Sequence, residues 1–115
     1  MELVALLSRG EGTWAQVSGL IKQGDWDKII LIGGDFAKKF SVEKEHEFVE
    51  LTSSTIAEIK EELIKKLAGK IKGTEVALSI ASGDGKEHMA LISALLCLPV
   101  GVRFTALTKN GIIFL

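Results

Sequence analysis

Leu3 to Leu7 is an unbroken apolar run, the pattern of a strand buried on both faces. The turn Ser8-Arg9-Gly10-Glu11-Gly12-Thr13 follows, with Thr13 placed to cap a helix. In that helix Trp14, Val17, Leu20 and Ile21 recur at helical spacing, and Gly24-Asp25 ends it. Lys28-Ile29-Ile30-Leu31-Ile32 is a second buried strand, closed by Gly33-Gly34-Asp35. Phe36 to Phe40 reads as a short helix, and Glu45 to Leu51 as a weaker, more polar strand nearer an edge.

Ser53-Ser54-Thr55 opens the clearest helix, with Thr55 and Glu58 at capping-box spacing. Ile56, Ile59, Leu63, Leu67 and Ile71 form its apolar stripe, and Gly69 and Gly73 mark its end. Glu61 with Lys65, and Glu62 with Lys66, are placed as ion pairs on the solvated side. Glu75 to Ala81 is a strand, Ser82 to Gly85 a Gly-rich turn, and Glu87 to Leu98 a helix broken by Pro99-Val100-Gly101. Val102 to Thr108 is a strand, and Asn110-Gly111 signals a hairpin to a last antiparallel strand, Ile112 to Leu115. Strands alternating with helices mean βαβ units. The expected fold is α/β: a Rossmann-like three-layer sandwich whose mostly parallel sheet of about six strands ends in an antiparallel β-hairpin.

Composition narrows the functions this fold can carry. At 115 residues the chain is expected to form one domain, residues 1–115. Lys plus Arg is 14 and Asp plus Glu is 15, a formal charge of −1, so sequence-blind binding to duplex nucleic acid is not expected. Cys97 is the single cysteine, which excludes an internal disulfide and a multi-cysteine zinc site. The segment Met1 to Leu7 carries Glu2 where a secretory leader would carry basic residues. The stretch Met89 to Val102 is too short and too interrupted to span a bilayer. A cytoplasmic protein without a membrane partner is the expectation.

In parallel α/β sheets, ligands bind beyond the carboxyl ends of the strands, beside the point where strand order reverses. Both Gly-rich turns lie at such ends. A strand–turn–helix unit leaves N–H groups free at the helix N-terminus, where they and the helix dipole attract phosphate. In Ser82-Gly83-Asp84-Gly85-Lys86-Glu87-His88, Ser82 can offer a hydroxyl, Lys86 a point charge and His88 a hydrogen bond. Asp84 and Glu87 repel phosphate and suit a ribose hydroxyl or a base amine instead. The plain alternative is a tight βα turn capped by Ser82 or Asp84. The first turn, Gly10-Glu11-Gly12-Thr13-Trp14-Ala15, matches G-x-G-x-x-A, and Asp35 ends the second strand where a dinucleotide fold keeps its ribose-binding acid. An NAD-type reading therefore stands beside the first, although Glu11 would face the pyrophosphate.

Other residues have quieter readings. Cys97, among Leu95, Leu96 and Leu98, reads as an inert core thiol. His46 and the acids Glu43, Glu45, Glu47 and Glu50 read as a solvated face, with a metal patch as the alternative, and no metal or cofactor is expected. Trp14 and Trp26 read as packing residues, Trp14 alternatively as a base-stacking one. Met89, Leu91, Ile92, Leu95, Leu96 and Leu98 surround nearly the whole of their helix, so a second copy of the chain is the expected cover for one side.

Ile80-Ala81-Ser82-Gly83-Asp84-Gly85-Lys86-Glu87-His88-Met89-Ala90, followed by an apolar helix and the strand Val102 to Thr108, resembles the CRISPR-associated Rossmann fold (CARF) family, the sensor domain of type III CRISPR systems. Ser82, Gly83 and Lys86 match that family's Ser/Thr-Gly-Gly turn with its following basic residue, and Asp84 replaces its second glycine. The resemblance implies a homodimer with a shared pocket for cyclic oligoadenylate, formed by the Ser82–Gly85 turns. It implies a first ligand loop over Ser8, Arg9, Gly10, Gly12 and Thr13, and nucleotide-binding roles for Ser82, Gly83, Asp84, Gly85 and His88. Sensors of that family usually carry an appended effector; with the chain ending at Leu115, a stand-alone member is the expectation. Two functions follow: a module that senses or sequesters the ring, or a metal-independent ring nuclease. In the latter the ribose 2′-hydroxyl attacks the phosphate, Ser8 orients the ribose and Lys86 stabilises the developing charge. A small α/β interaction protein without a ligand remains the third reading.

Overall fold

The computed structural model describes residues 1–9 and 13–115. Its strands are β1 (Glu2–Leu7), β2 (Lys28–Gly33), β3 (Glu47–Glu50), β4 (Glu75–Ser79), β5 (Gly101–Thr108) and β6 (Gly111–Phe114). Its helices are α1 (Trp14–Gln23), α2 (Ile56–Leu67) and α3 (Gly85–Cys97), and a 3-10 turn covers Asp35–Lys39. The six strands form one sheet in the order β3-β2-β1-β4-β5-β6, parallel throughout except for the β5–β6 hairpin. This is the α/β fold read from the sequence, with the order reversing between β1 and β4 and the polar strand β3 at one edge.

Strand alternation divides the core in two. Val4, Leu6, Ile30, Ile32, Val76 and Leu78 face α2 and α3, meeting Ile59, Leu63, Leu67, Ala90, Leu91, Ala94 and Leu95. Leu3, Ala5, Leu7, Ile29, Leu31 and Ala77 face α1, meeting Val17, Leu20 and Ile21. Both faces of β1 are therefore covered, which is why its run has no polar alternation. Burying a Leu or Ile side chain contributes about 2 kcal/mol, so these layers dominate the stability.

Polar side chains close the places where regular hydrogen bonding stops. The buried Glu2 carboxylate accepts from Lys72 N–H at 3.0 and 3.1 Å and from Gly73 N–H at 2.7 Å, tying the α2–β4 loop to β1. β4 ends opposite Thr105's neighbourhood, where Leu78 pairs with Phe104, while β5 runs on to Thr108. There the Gln16 amide of α1 takes over, donating to Leu107 carbonyl at 3.1 Å and accepting from Leu107 N–H.

Several local expectations are revised. Thr13 stands at the N-cap of α1 but makes no side-chain cap hydrogen bond. The hairpin turns on Lys109 and Asn110, and Gly111, at φ +106, opens β6. No described non-glycine has positive φ, so Asn110 does not take the left-handed form of an Asn-Gly turn centre. Cys97 is exposed rather than packed in the core, because it lies on the outer face of α3 with Met89 and Leu96, while Leu91, Leu95 and then Leu98 and Val100 turn to the core. Met89 and Leu96, seven residues apart on α3, are 59% and 60% exposed. Glu62 is not on the solvated side: its side chain is 10% exposed, at the border of the stripe formed by Ile59 and Leu63. Among the described residues no helix is long and apolar enough to cross a membrane.

Candidate functional site

The carboxyl ends of β1, β2, β3 and β4 open into one cleft of about 510 Å³. Arg9 lines it from the end of β1, Gly34, Asp35 and Phe36 from the end of β2, and Leu51, Ser53 and Ser54 from the end of β3. Asp84, Lys86 and Glu87 line it from the turn after β4, at the side where strand order reverses. Arg9, from the first turn singled out by sequence, thus lines one cleft with three residues from the second turn and the start of α3.

The β4–α3 turn is built by a reciprocal cap. Asp84 Oδ1 accepts from Glu87 N–H at 2.8 Å, and Glu87 Oε1 accepts from Asp84 N–H at 3.0 Å. Two of the four orphan amides of the helix start are satisfied in this way, and those of Gly85 and Lys86 have no partner among the described residues. Gly83 is needed before the cap. Its φ is +107, and a Cβ there would lie 2.4 Å from Leu6 Cδ2 and 3.0 Å from His88 Nε2. A Cβ at Gly85 would meet nothing within 4 Å, so that backbone is open to a ligand.

The seam between β1 and β4 is closed by side chains that were expected to touch ligand. Ser8 N–H donates to Ser82 Oγ at 2.8 Å, and Ser8 Oγ donates to Glu87 Oε1 at 3.0 Å. Ser8 carbonyl accepts from Trp14 Nε1 at 2.8 Å. His88 Nε2 donates to Ser82 carbonyl at 2.9 Å, which places the proton of a neutral ring on that nitrogen. Ser82 is 1% exposed. Ser8, Ser82 and His88 therefore hold the turns together, while Lys86, Asp84 and Gly85 stand exposed. Gly10, Gly12 and the intervening Glu11 lie outside the described residues, so the G-x-G part of the first loop does too. Thr13 is half-buried.

The charge of the cleft is mixed. Arg9 stacks over the Phe36 ring at 4.7 Å from its centroid, a cation–π contact that leaves its charge at the rim. Asp35, the acid of the NAD-type reading, is exposed and pairs with Lys38 at 3.0 Å, and Lys38 also reaches Glu50 at 3.0 Å. The hydrogen bond that Lys38 donates to Asp35, then the one it donates to Glu50, holds its ammonium above its ordinary range. Lys86 has no such carboxylate partner among the described residues, so its charge is available to a ligand.

Sequence reading missed the opposite wall. Glu62, midway along α2, accepts from Thr52 N–H, Thr52 Oγ1 and Ser53 N–H at 2.8 to 3.1 Å and from Lys66 Nζ at 2.7 Å. Burial would push its carboxyl up, but the Lys66 ammonium and the Ser53 and Thr52 donors outweigh it and set the pKa at about 2. The available signal was positional: Ser53-Ser54 follows a strand that runs parallel to β1, so its carboxyl end opens on the same side of the sheet.

The remaining candidates do not converge. Among the described residues no three of His, Cys, Asp and Glu come together as metal ligands. His46 Nδ1 contacts Lys44 carbonyl at 3.0 Å, and the Lys70 ammonium, through its hydrogen bond, lowers the carboxyl of Glu47. Trp14 packs edge-on against Phe40, and Trp26 packs against Phe114 with its Nε1 donating to Leu20 carbonyl. No protein-family model and no curated protein sequence matches the chain.

Proposed function

We propose that this protein is a nucleotide-binding module, and that its ligand is a cyclic oligoadenylate of the kind sensed by the CARF family. The observation that carries this reading is Lys86, which lines the cleft at the strand-order reversal, standing at the start of α3 beside its own N–H group and that of Gly85, neither with a partner among the described residues. Amide donors at a helix start, joined by an ammonium, suit a phosphodiester. The mixed charge of the rest suits the neutral sugar and base between phosphates. The exposed row of Met89, Leu96 and Cys97 runs along the helix that begins at this wall. A second copy covering that row brings two such walls together, as a twofold ring ligand needs.

Binding is favoured over cleavage because Ser8 spends its N–H, its hydroxyl proton and its carbonyl inside the protein. A ring nuclease would need Ser8 to leave Glu87 and turn to the ribose. Asp35 lines the same cleft and supports a second reading, an NAD-type ligand whose ribose it would hold. Calorimetric titration with cyclic tetra- and hexa-adenylate, and with NADH, separates these readings. The expected result is binding of a ring, weakened about tenfold or more by Lys86→Ala, the loss of one charge-assisted contact worth about 1.4 kcal/mol or more. Mass analysis after incubation reports an intact ring for a module and a linear product for a nuclease. Binding of NADH alone, lost in Asp35→Ala, would replace the proposal, and binding of neither class would end both readings.

A further inference from the structure

We infer that Glu62 is a positioning residue for the cleft, fixing the backbone at Thr52 and Ser53 so that Ser53 and Ser54 hydrogen-bond the sugar hydroxyls of the bound nucleotide. The inference rests on the proposed nucleotide reading and adds to it the wall that reads the sugar.

The two walls of the cleft differ in chemistry. The wall from the β4–α3 turn carries Lys86 beside Asp84 and Glu87, whose carboxylates are engaged in the cap and with Ser8, which leaves the Lys86 ammonium, among the described residues, as its unpaired charge for an anion. The wall between β3 and α2 contributes Leu51, Ser53, Ser54 and Ile59, with no charged side chain. Hydroxyls both donate and accept, as ribose hydroxyls do, so a neutral pair of serines matches a sugar better than a phosphate. Neither serine hydroxyl has a partner within the protein among the described residues.

This wall has no regular secondary structure, since it lies between β3 and α2, yet it is held at several points. Glu62 accepts from Thr52 and Ser53 N–H and from Thr52 Oγ1. Lys66, paired with Glu62 at 2.7 Å, also donates to Glu50 carbonyl at 2.7 Å. Leu51 N–H donates to Gly33 carbonyl at 2.7 Å. One carboxylate four residues from its lysine thus clamps the segment that leads into the two serines. Taking the donor of the Ser53 amide also keeps that N–H from competing for the ligand.

The test compares cyclic tetraadenylate with its 2′-deoxy counterpart by titration calorimetry. Wild type is expected to bind the ribo ring about tenfold more tightly. The double variant Ser53→Ala/Ser54→Ala, at partly exposed and exposed positions, and the variant Glu62→Gln are both expected to erase that preference. Leu67→Val, which trims the buried face of α2 near its far end, is expected to lower the melting temperature and leave the preference unchanged. A ribo preference that survives in both the serine variant and Glu62→Gln, or that is absent from wild type while both rings bind, overturns the inference and spares the nucleotide reading. Loss of the preference in Leu67→Val as well overturns the positioning role. Wild type that binds neither ring overturns the reading and the inference with it.

Discussion

Gly83 shows how one position can be constrained from two directions. Its positive φ excludes most side chains, and the 2.4 Å approach to Leu6 Cδ2 excludes even a methyl group. Gly83→Ala is expected to destabilise the fold by about 1–3 kcal/mol, read as a lower urea midpoint, because both strain and overlap must be relieved. Gly85→Ala, where a Cβ meets no atom within 4 Å, is expected to leave the midpoint nearly unchanged. Glu62 is constrained by charge instead. Its folded pKa of about 2 lies below the ordinary 4.5, so its ionised form stabilises the fold. That contribution is complete above the unfolded value and is lost as pH falls from there through the folded value. Urea unfolding of wild type and Glu62→Gln between pH 6 and 2 checks the sign. The gap between them, about 1–3 kcal/mol at neutral pH for hydrogen bonds to a charged group, is expected to close on acidification.

At the scale of elements, α1 and β5 are coupled by Gln16, whose amide replaces a strand partner for Leu107. Gln16→Ala is expected to cost about 1–3 kcal/mol and to unprotect the Leu107 amide in hydrogen exchange more than its neighbours, since it orphans two backbone groups. No periodicity reports such a contact, because Gln16 lies 91 residues from its partner. What was legible in the sequence was what repeats. The runs Leu3 to Leu7 and Lys28 to Ile32 announced strands covered on both faces; of the stripe Ile56, Ile59, Leu63, Leu67 and Ile71, the middle three form the buried face of α2, while Ile56 in its first turn is exposed and Ile71 lies beyond its end. The β4–α3 turn was legible for the same reason: Gly83 and Asp84 must bend and cap the chain wherever it goes next. Burial at the margins was not legible. Glu62 follows Ile59 by three positions and precedes Leu63 by one, so a salt-bridge spacing to Lys66 reads the same whether the pair faces water or a loop. Cys97 failed in the other direction, because apolar neighbours on both sides of it did not disclose which face of α3 is turned outward.

At the scale of the molecule, α3 links the cleft to an uncovered apolar row. If a second copy covers it, as proposed, Leu96→Lys is expected to shift sedimentation from dimer to monomer and to weaken ring binding with it. A wild-type chain that sediments as a monomer at high concentration, with and without cyclic tetraadenylate, would remove the twofold arrangement. The sheet adds a consequence of its own. Strands β1 to β3 occupy the first fifty residues and pair in sequence, and β4 to β6 do the same at the other end of the chain. The β1–β4 ladder, the bonds from Ser8 to Ser82 and Glu87 at one end, and those from Lys72 and Gly73 to Glu2 at the other bridge the two sets of strands. A molecule seated across that junction works as a rivet between an early and a late half of the polypeptide, so its arrival registers as slower unfolding.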